Sequence, residues 1–203
     1  NTGGHPHIFR RKESVKSPDT MKQIGIYGGS FNPIHNGHIQ LAKHILRLSA
    51  LDEIWFMVSP QNPLKPQNEL LDDHLRFEII ACDTEFHLSK PSYTWNTLRH
   101  LSTAHPEISF TLIIGADNWL VFNQWAHHED ILRNYEIIIY PRLNAPINKQ
   151  SLPLNVHLLD TPLYNISSTE VRRRIQQGED VNQLIPPEII PLAIGITRIH
   201  DRM

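Results

Sequence analysis

The chain has 203 residues, 40% of them hydrophobic and 20% charged, with nineteen basic against twenty-one acidic side chains and a formal net charge of −2. Its length and a mean hydropathy of −0.33 describe one globular domain that can bury roughly 70% of its unfolded surface without staples. A general electrostatic claim on nucleic acid or anionic membrane is excluded by the balance of charge, an intramolecular disulfide by the lone Cys82, which suits a reducing compartment such as the cytoplasm.

Residues 1–20 are rich in Gly, Pro, Ser and basic side chains and carry no sustained apolar period. Ile8-Phe9 is too short for a secretory apolar core, and no run anywhere approaches the ~20 residues of a membrane span. This segment reads as a disordered extension or an expression remnant, with Met21 as the natural start and 21–203 as a single domain. From Met21 onward, short β-rich runs alternate with helical patterns. Strands are expected at Lys22–Tyr27, Glu53–Ser59, Ser109–Ile114, Glu136–Tyr140 and Val156–Leu159. Helices are expected at His38–Leu48, Leu71–Cys82, Thr94–His105 and Trp119–Leu132. Ile113-Ile114 and Ile137–Ile139 lack polar alternation, as strands covered on both faces do. Repeated strand–helix–strand order predicts an α/β fold, a doubly wound, Rossmann-like parallel sheet with helices on both faces and a small C-terminal helical part. Ligands then bind beyond the carboxyl ends of the strands. Pro60–Pro66 reads as a proline-stiffened loop and Asn144–Pro153 as a surface excursion.

The loop after the first of these strands, Gly28-Gly29-Ser30-Phe31-Asn32-Pro33-Ile34-His35-Asn36-Gly37-His38, is the most informative segment. Its glycines let backbone amides approach a ligand, and Asn36 or Gly37 can open a helix whose positive dipole end faces the same place. That is a phosphate site in outline, without a Gly-x-Gly-x-x-Gly dinucleotide fingerprint or a Gly-x-x-x-x-Gly-Lys-Ser/Thr loop. His35 and His38 have three readings. They are surface histidines near a helix start, a zinc pair on one helical face, or imidazoles contacting a nucleoside triphosphate. No cysteine or carboxylate at suitable spacing accompanies them for zinc. A second anion site begins at Ile166-Ser167-Ser168-Thr169, where hydroxyls can cap a helix and Arg172 lies one turn in. Arg173 and Arg174 point elsewhere on that helix and read as a solvated face. Cys82, on a helical apolar face, reads as structural.

Gly-Gly-Ser-Phe-Asn-Pro-Ile-His-Asn-Gly-His resembles the His-x-Gly-His signature of the nucleotidyltransferase superfamily, and Ile166–Arg172 resembles its Ile-Ser-Ser-Thr-x-x-Arg motif. Pro91-Ser92-Tyr93-Thr94-Trp95-Asn96-Thr97-Leu98 and Ile114-Gly115-Ala116-Asp117-Asn118, with Trp125 downstream, resemble elements of the bacterial nicotinate-nucleotide adenylyltransferases. The resemblance runs from Met21 to about residue 195. It departs at Asn62-Pro63-Leu64-Lys65, where many members have Pro-Pro-His-Lys, so Lys65 carries the positive charge there alone.

The resemblance implies an enzyme that joins ATP to nicotinate mononucleotide, giving nicotinate adenine dinucleotide and pyrophosphate in NAD biosynthesis. It implies Mg²⁺ carried on the ATP rather than held by a protein cluster. His38 is expected on the α-phosphate, His35 beside the Ser30 and Phe31 amides, and Arg172 with Ser168 on the departing pyrophosphate. Gly28, Gly29, Gly115, Asp117, Ser167 and Thr169 complete the ATP side; Asp117 would accept ribose hydroxyls. Asn32, Lys65, Tyr93, Thr94 and Trp125 form the mononucleotide side, with the carboxylate received at the start of a helix and the ring stacked on Trp125. Trp119 reads as a core side chain. The expected partners are these two small molecules, with neither nucleic acid nor membrane, and a homo-oligomer stays open. The rival readings are another acceptor (nicotinamide mononucleotide, phosphopantetheine or flavin mononucleotide) and a catalytically silent nucleotide-binding regulator. His44, His74, His87, His100, His105, His127, His128, His157 and His200 carry no functional expectation.

Overall fold

A computed structural model describes residues 9–10, 20–58, 93–191 and 193–194. Six strands form one sheet: β1 (Phe9–Arg10), β2 (Lys22–Gly29), β3 (Glu53–Val58), β4 (Ile108–Gly115), β5 (Glu136–Tyr140) and β6 (Val156–Leu158). Their spatial order is β1-β3-β2-β4-β5-β6. All pairs from β3 to β6 are parallel, and β1 alone runs antiparallel, setting Phe9 opposite Ile54 and Arg10 opposite Glu53. Within the segment expected to be irregular, β1 is therefore an ordered contact with the sheet edge.

Alternation along the strands divides the core into two layers. Tyr27, Ile54, Phe56, Ile113 and Ile138 face one side, against Leu41, Ala42, Ile45 and Leu46 of α1 (Asn36–Leu48) and against Val171, Val181 and Ile185 from the C-terminal part. Ile24, Ile26, Met57, Leu112, Ile114, Ile137 and Ile139 face the other, against Leu98 and Leu101 of α2 (Thr94–Ala104) and against Phe122 and Ile131. Helices thus cover both faces, as the unalternating isoleucines implied. The described C-terminal part includes α5 (Ser168–Gln176) and a 3₁₀ turn at Pro187–Ile189 on the α1 side.

The chain leaves β2 for β3 on one side and later fills β4, β5 and β6 on the other. Between β2 and β4 the order reverses, opening a crevice beyond their carboxyl ends. Gly28-Gly29 and Gly115 close these two strands, so the glycines flank the reversal.

One expected helix is broken. Trp119–Leu132 divides into α3 (Ala116–Leu120), a 3₁₀ turn at Phe122–Gln124 and α4 (His128–Asn134). The apolar spacing Trp119, Phe122, Trp125 is a period of three, which matches a 3₁₀ turn better than the 3.6-residue period of an α-helix. Trp119 and Trp125 both pack on buried Phe122, at ring-centroid distances of 5.1 and 5.5 Å. Trp125 is extended (ψ 141°) and His127 left-handed (φ 58°), which stops helix propagation between them. The expected helix Leu71–Cys82, the loop Pro60–Pro66 with Lys65, and Pro91-Ser92 lie outside the described residues. The excursion Asn144–Pro153 is irregular except for a 3₁₀ turn at Lys149–Ser151.

Gly25 sits where β2 passes beneath the α1 layer. A Cβ there would lie 2.6 Å from Ile113 Cδ1 and 2.7 Å from Leu51 Cδ1, both buried side chains. Gly25→Val should therefore destabilise the fold by about 1–3 kcal/mol through overpacking, read as a lower urea midpoint. An unchanged midpoint would mean that Leu51 and Ile113 have room to move.

Candidate active site

At the end of β2, an added Cβ on Gly28 would meet nothing within 4 Å, so that side of its backbone stands open to an approaching group. Gly29 is different: a Cβ would lie 2.9 Å from the Phe31 ring. That ring turns back into the core, edge-on to Tyr27 at 5.5 Å, Phe56 at 5.2 Å and His38 at 5.0 Å. Phe31 holds φ 41°, a conformation costing about 1 kcal/mol for a side-chain-bearing residue, and burial of the ring offsets it. The Asn32–Pro33 peptide is cis.

His35 caps α1 in an extended conformation, and its backbone N–H donates to His38 Nδ1 at 3.2 Å. The His38 N–H returns to the His35 carbonyl at 3.0 Å. Because Nδ1 accepts, the neutral His38 ring carries its proton on Nε2. The two imidazoles stack, with centroids 3.7 Å apart and planes 21° apart. Gly37 permits this, since a Cβ there would lie 2.9 Å from His35 Nδ1. The glycine of the His-x-Gly-His pattern is thus a steric requirement of the paired rings. His35 is buried, with Nδ1 unpartnered. Burial first, and then the positive field of Arg142, lowers its pKa to about 4.

The second expected anion motif adjoins the first. Ser167 caps α5, accepting the Glu170 N–H at 3.2 Å. Ser168 Oγ donates to the Pro33 carbonyl at 2.9 Å, and Arg172 Nη1 donates to the Asn32 carbonyl at 2.6 Å. Arg172 Nη2 also reaches Thr169 Oγ1 at 3.4 Å. Arg173 and Arg174 instead grip Glu170 and Glu179 on the surface, and their hydrogen bonds lower the Glu170 pKa to about 2. The solvated-face reading of these two arginines matches that geometry.

Across the crevice, Gly115 ends β4 where a Cβ would collide with Asp117 Oδ1 and crowd Arg142 Cγ at 3.1 Å and Tyr140 Cε2 at 3.2 Å. Asp117 and Arg142 form a half-exposed ion pair at 3.7 Å. Arg142 was absent from the sequence expectations. Its signal was a cation directly after the strand Glu136–Tyr140, on the edge where ligands bind. Beneath the pair, the Tyr27 and Tyr140 rings meet edge-on at 5.7 Å, and burial chiefly raises both phenols' pKa values. They stay protonated, forming a neutral floor.

Tyr93 and Thr94 stand at the start of α2, apart from the histidines. Tyr93 has no side-chain cap, and its carbonyl accepts from Asn96 and Thr97. Trp125 is half-buried against Phe122, on the strand-to-helix side opposite α1. A stack between Trp95 and His127 joins the two regions. Among the described residues, no group of three His, Cys, Asp or Glu could hold a metal ion. No helix among them is long and apolar enough to cross a membrane.

A cytidylyltransferase-like family model matches residues 26–174. A probable nicotinate-nucleotide adenylyltransferase of Bacteroides fragilis is 43% identical over 190 residues, spanning 88% of this chain and 94% of that protein. A counterpart from Flavobacterium johnsoniae is 38% identical and is covered to 93% of its length. Among solved structures, Plasmodium falciparum nicotinic acid mononucleotide adenylyltransferase complexed with APC superposes with a TM-score of 0.71 at 25% identity, over 89% of this chain and 98% of that one.

His35 binds its proton more weakly in the folded chain than at the unfolded value of 6.5. Its contribution to stability is therefore complete above about pH 6.5 and is lost as pH falls toward about 4, by up to roughly 3 kcal/mol. Thermal midpoints measured across that window should fall more steeply for the wild type than for His35→Gln. Parallel curves would refute the burial of a neutral imidazole.

Proposed function

This chain belongs to the cytidylyltransferase-like family and, within it, to the nicotinate-nucleotide adenylyltransferases, and from that membership and the site geometry we infer how it works. It joins ATP to nicotinate mononucleotide, yielding nicotinate adenine dinucleotide and pyrophosphate. A 5′-phosphate oxygen of the mononucleotide forms a bond to the α-phosphorus, and the bond from that phosphorus to the α,β-bridging oxygen breaks. The electron pair leaves with pyrophosphate. The nucleophile is already an anion, so no protein base is required. Alignment and charge neutralisation carry the rate, and alignment alone supplies on the order of 7–11 kcal/mol.

The observation that best supports this assignment is the stitching of α5 to the loop after β2 by Ser168 and Arg172. Two helix starts, α1 and α5, are brought to one place, and each favours anions through the positive end of its dipole. In our reading the triphosphate lies across both. Gly28, Gly29, Ser30 and Phe31 offer backbone to it. His38, with its proton on Nε2, donates to the α-phosphate, and His35, packed behind it, fixes the ring. Ser167, Ser168, Thr169 and Arg172 receive the β- and γ-phosphates; a guanidinium carries five donors, so Arg172 can serve a carbonyl and a phosphate together. Gly115 and Asp117 meet the ribose, with Arg142 holding the Asp117 carboxylate. Asn32, Lys65, Tyr93, Thr94 and Trp125 take the mononucleotide. Mg²⁺ carried on the ATP would screen charge between the two polyanions. A cytoplasmic location would suit its demand for ATP.

The reaction is tested by pyrophosphate release with ATP and each candidate acceptor separately, and nicotinate mononucleotide should be strongly preferred. Activity with the nicotinamide form alone would overturn the substrate. His38→Ala should lower kcat by roughly 10²–10³, the loss of one well-aimed donor to the transition state; a wild-type rate would remove His38 from the chemistry. Trp125→Ala should raise KM for the mononucleotide while leaving that for ATP near its original value, and equal effects on both would refute ring stacking.

A further inference from the structure

Between α2 and α4 lies a contact that the assigned site does not use. The rings of Trp95 and His127 stack with centroids 5.9 Å apart and planes 24° apart. Trp95 belongs to the first turn of α2, adjacent to Thr94. His127 caps α4 and follows Trp125 by two residues. The stack therefore ties the helix start expected to receive a carboxylate to the turn that carries the expected ring-stacking tryptophan.

Both partners are themselves held. The Arg99 guanidinium carbon lies 5.7 Å from the Trp95 ring centroid, and Tyr135 meets the same indole edge-on at 6.3 Å. Tyr135 in turn shares a 3.0 Å hydroxyl hydrogen bond with Ser102 of α2. His127 sits at φ 58° and pairs through Nδ1 with Asp130 at 3.1 Å. A left-handed conformation is unfavourable for a residue with a Cβ and persists only where its surroundings impose it. From there the path to Trp125 is short. The Trp125 carbonyl accepts the His128 backbone N–H at 3.2 Å and His128 Nδ1 at 3.3 Å. The Trp125 backbone is thus fastened to the first turn of α4, which His127 caps.

We propose that the Trp95–His127 stack is a positioning device for the pyridine subsite, setting the distance between the start of α2 and Trp125 and so the affinity for the mononucleotide. This rests on the reaction assigned above. Neither residue touches the reacting phosphates; both act through the groups beside them.

The test uses the full chain and varies ATP and nicotinate mononucleotide separately. His127→Gly removes the ring yet accepts the positive φ without strain, and Trp95→Ala removes the other ring. Each should raise KM for the mononucleotide about three- to tenfold, the range an aromatic pair supplies. KM for ATP and kcat should stay within about twofold. Trp95→Phe should restore most of the loss, and combining Trp95→Ala with His127→Gly should cost little more than either alone. Thermal midpoints of the variants check that they remain folded. An unchanged mononucleotide KM in His127→Gly would overturn the proposal, as would equal rises in both KM values, which mark general loosening. A wild-type chain that forms no dinucleotide would overturn the parent assignment and this inference with it, a result distinct from either.

Discussion

Two hydrogen bonds organise the crevice proposed as the active site. Ser168 and Arg172 donate to the carbonyls of Pro33 and Asn32, across more than 130 residues of sequence. Carbonyls in an irregular loop need partners once they leave water, and here the partners come from the first two turns of a remote helix. The consequence is geometric: the loop after β2 and the start of α5 cannot move independently. The left-handed Phe31, the cap at His35 and the stacked imidazoles all depend on a loop held from that side. Asn36 reinforces it, its N–H donating to the Leu184 carbonyl and its side chain to that of Gln183.

Net charge gives no warning of this site. The chain is close to neutral, yet the crevice gathers helix starts, open glycine backbone, Arg142 and Arg172. Such fields act over a Debye length of about 8–10 Å, so what matters is where each cation lies. Three consecutive arginines illustrate it. Arg172 turns to the loop, while Arg173 and Arg174 are engaged by Glu170 and Glu179 on the surface. Beneath the crevice the titratable groups are held uncharged: His35 below its usual range, Tyr27 and Tyr140 above theirs. A neutral floor with cations at the rim suits a polyanion without trapping an unpaired charge in the core.

Strand positions were legible because each of β2 to β6 is a short β-rich run, and those at the centre are covered on both faces. The two loops proposed for phosphate stood out as glycine, histidine and hydroxyl side chains at fixed spacing, and the structure brings them together through Ser168 and Arg172. What escaped were features created by tertiary contact. The period of three through Trp119, Phe122 and Trp125 imitates a helix face until Phe122 is seen buried between the indoles. Arg142 has no local motif; only the parallel pairing of β5 with β4 carries it to Asp117. Gly37 looked like a helix opener, whereas its lack of a side chain makes room for the His35 ring. His127 reads as one more surface histidine until its ring is found on Trp95.

The short antiparallel β1 has a consequence unrelated to catalysis. A parallel sheet ends on two rows of unpaired backbone groups, each a template for recruiting another strand. On the β3 edge, Phe9 and Arg10 occupy the start of that row, opposite Ile54 and Glu53. The far edge is protected by other means: β6 is only three residues long, and its outward His157 is paired with Glu136 at 2.8 Å. Phe9 and Arg10 thus cover the first two residues of the β3 edge, leaving less of that row open to a further strand.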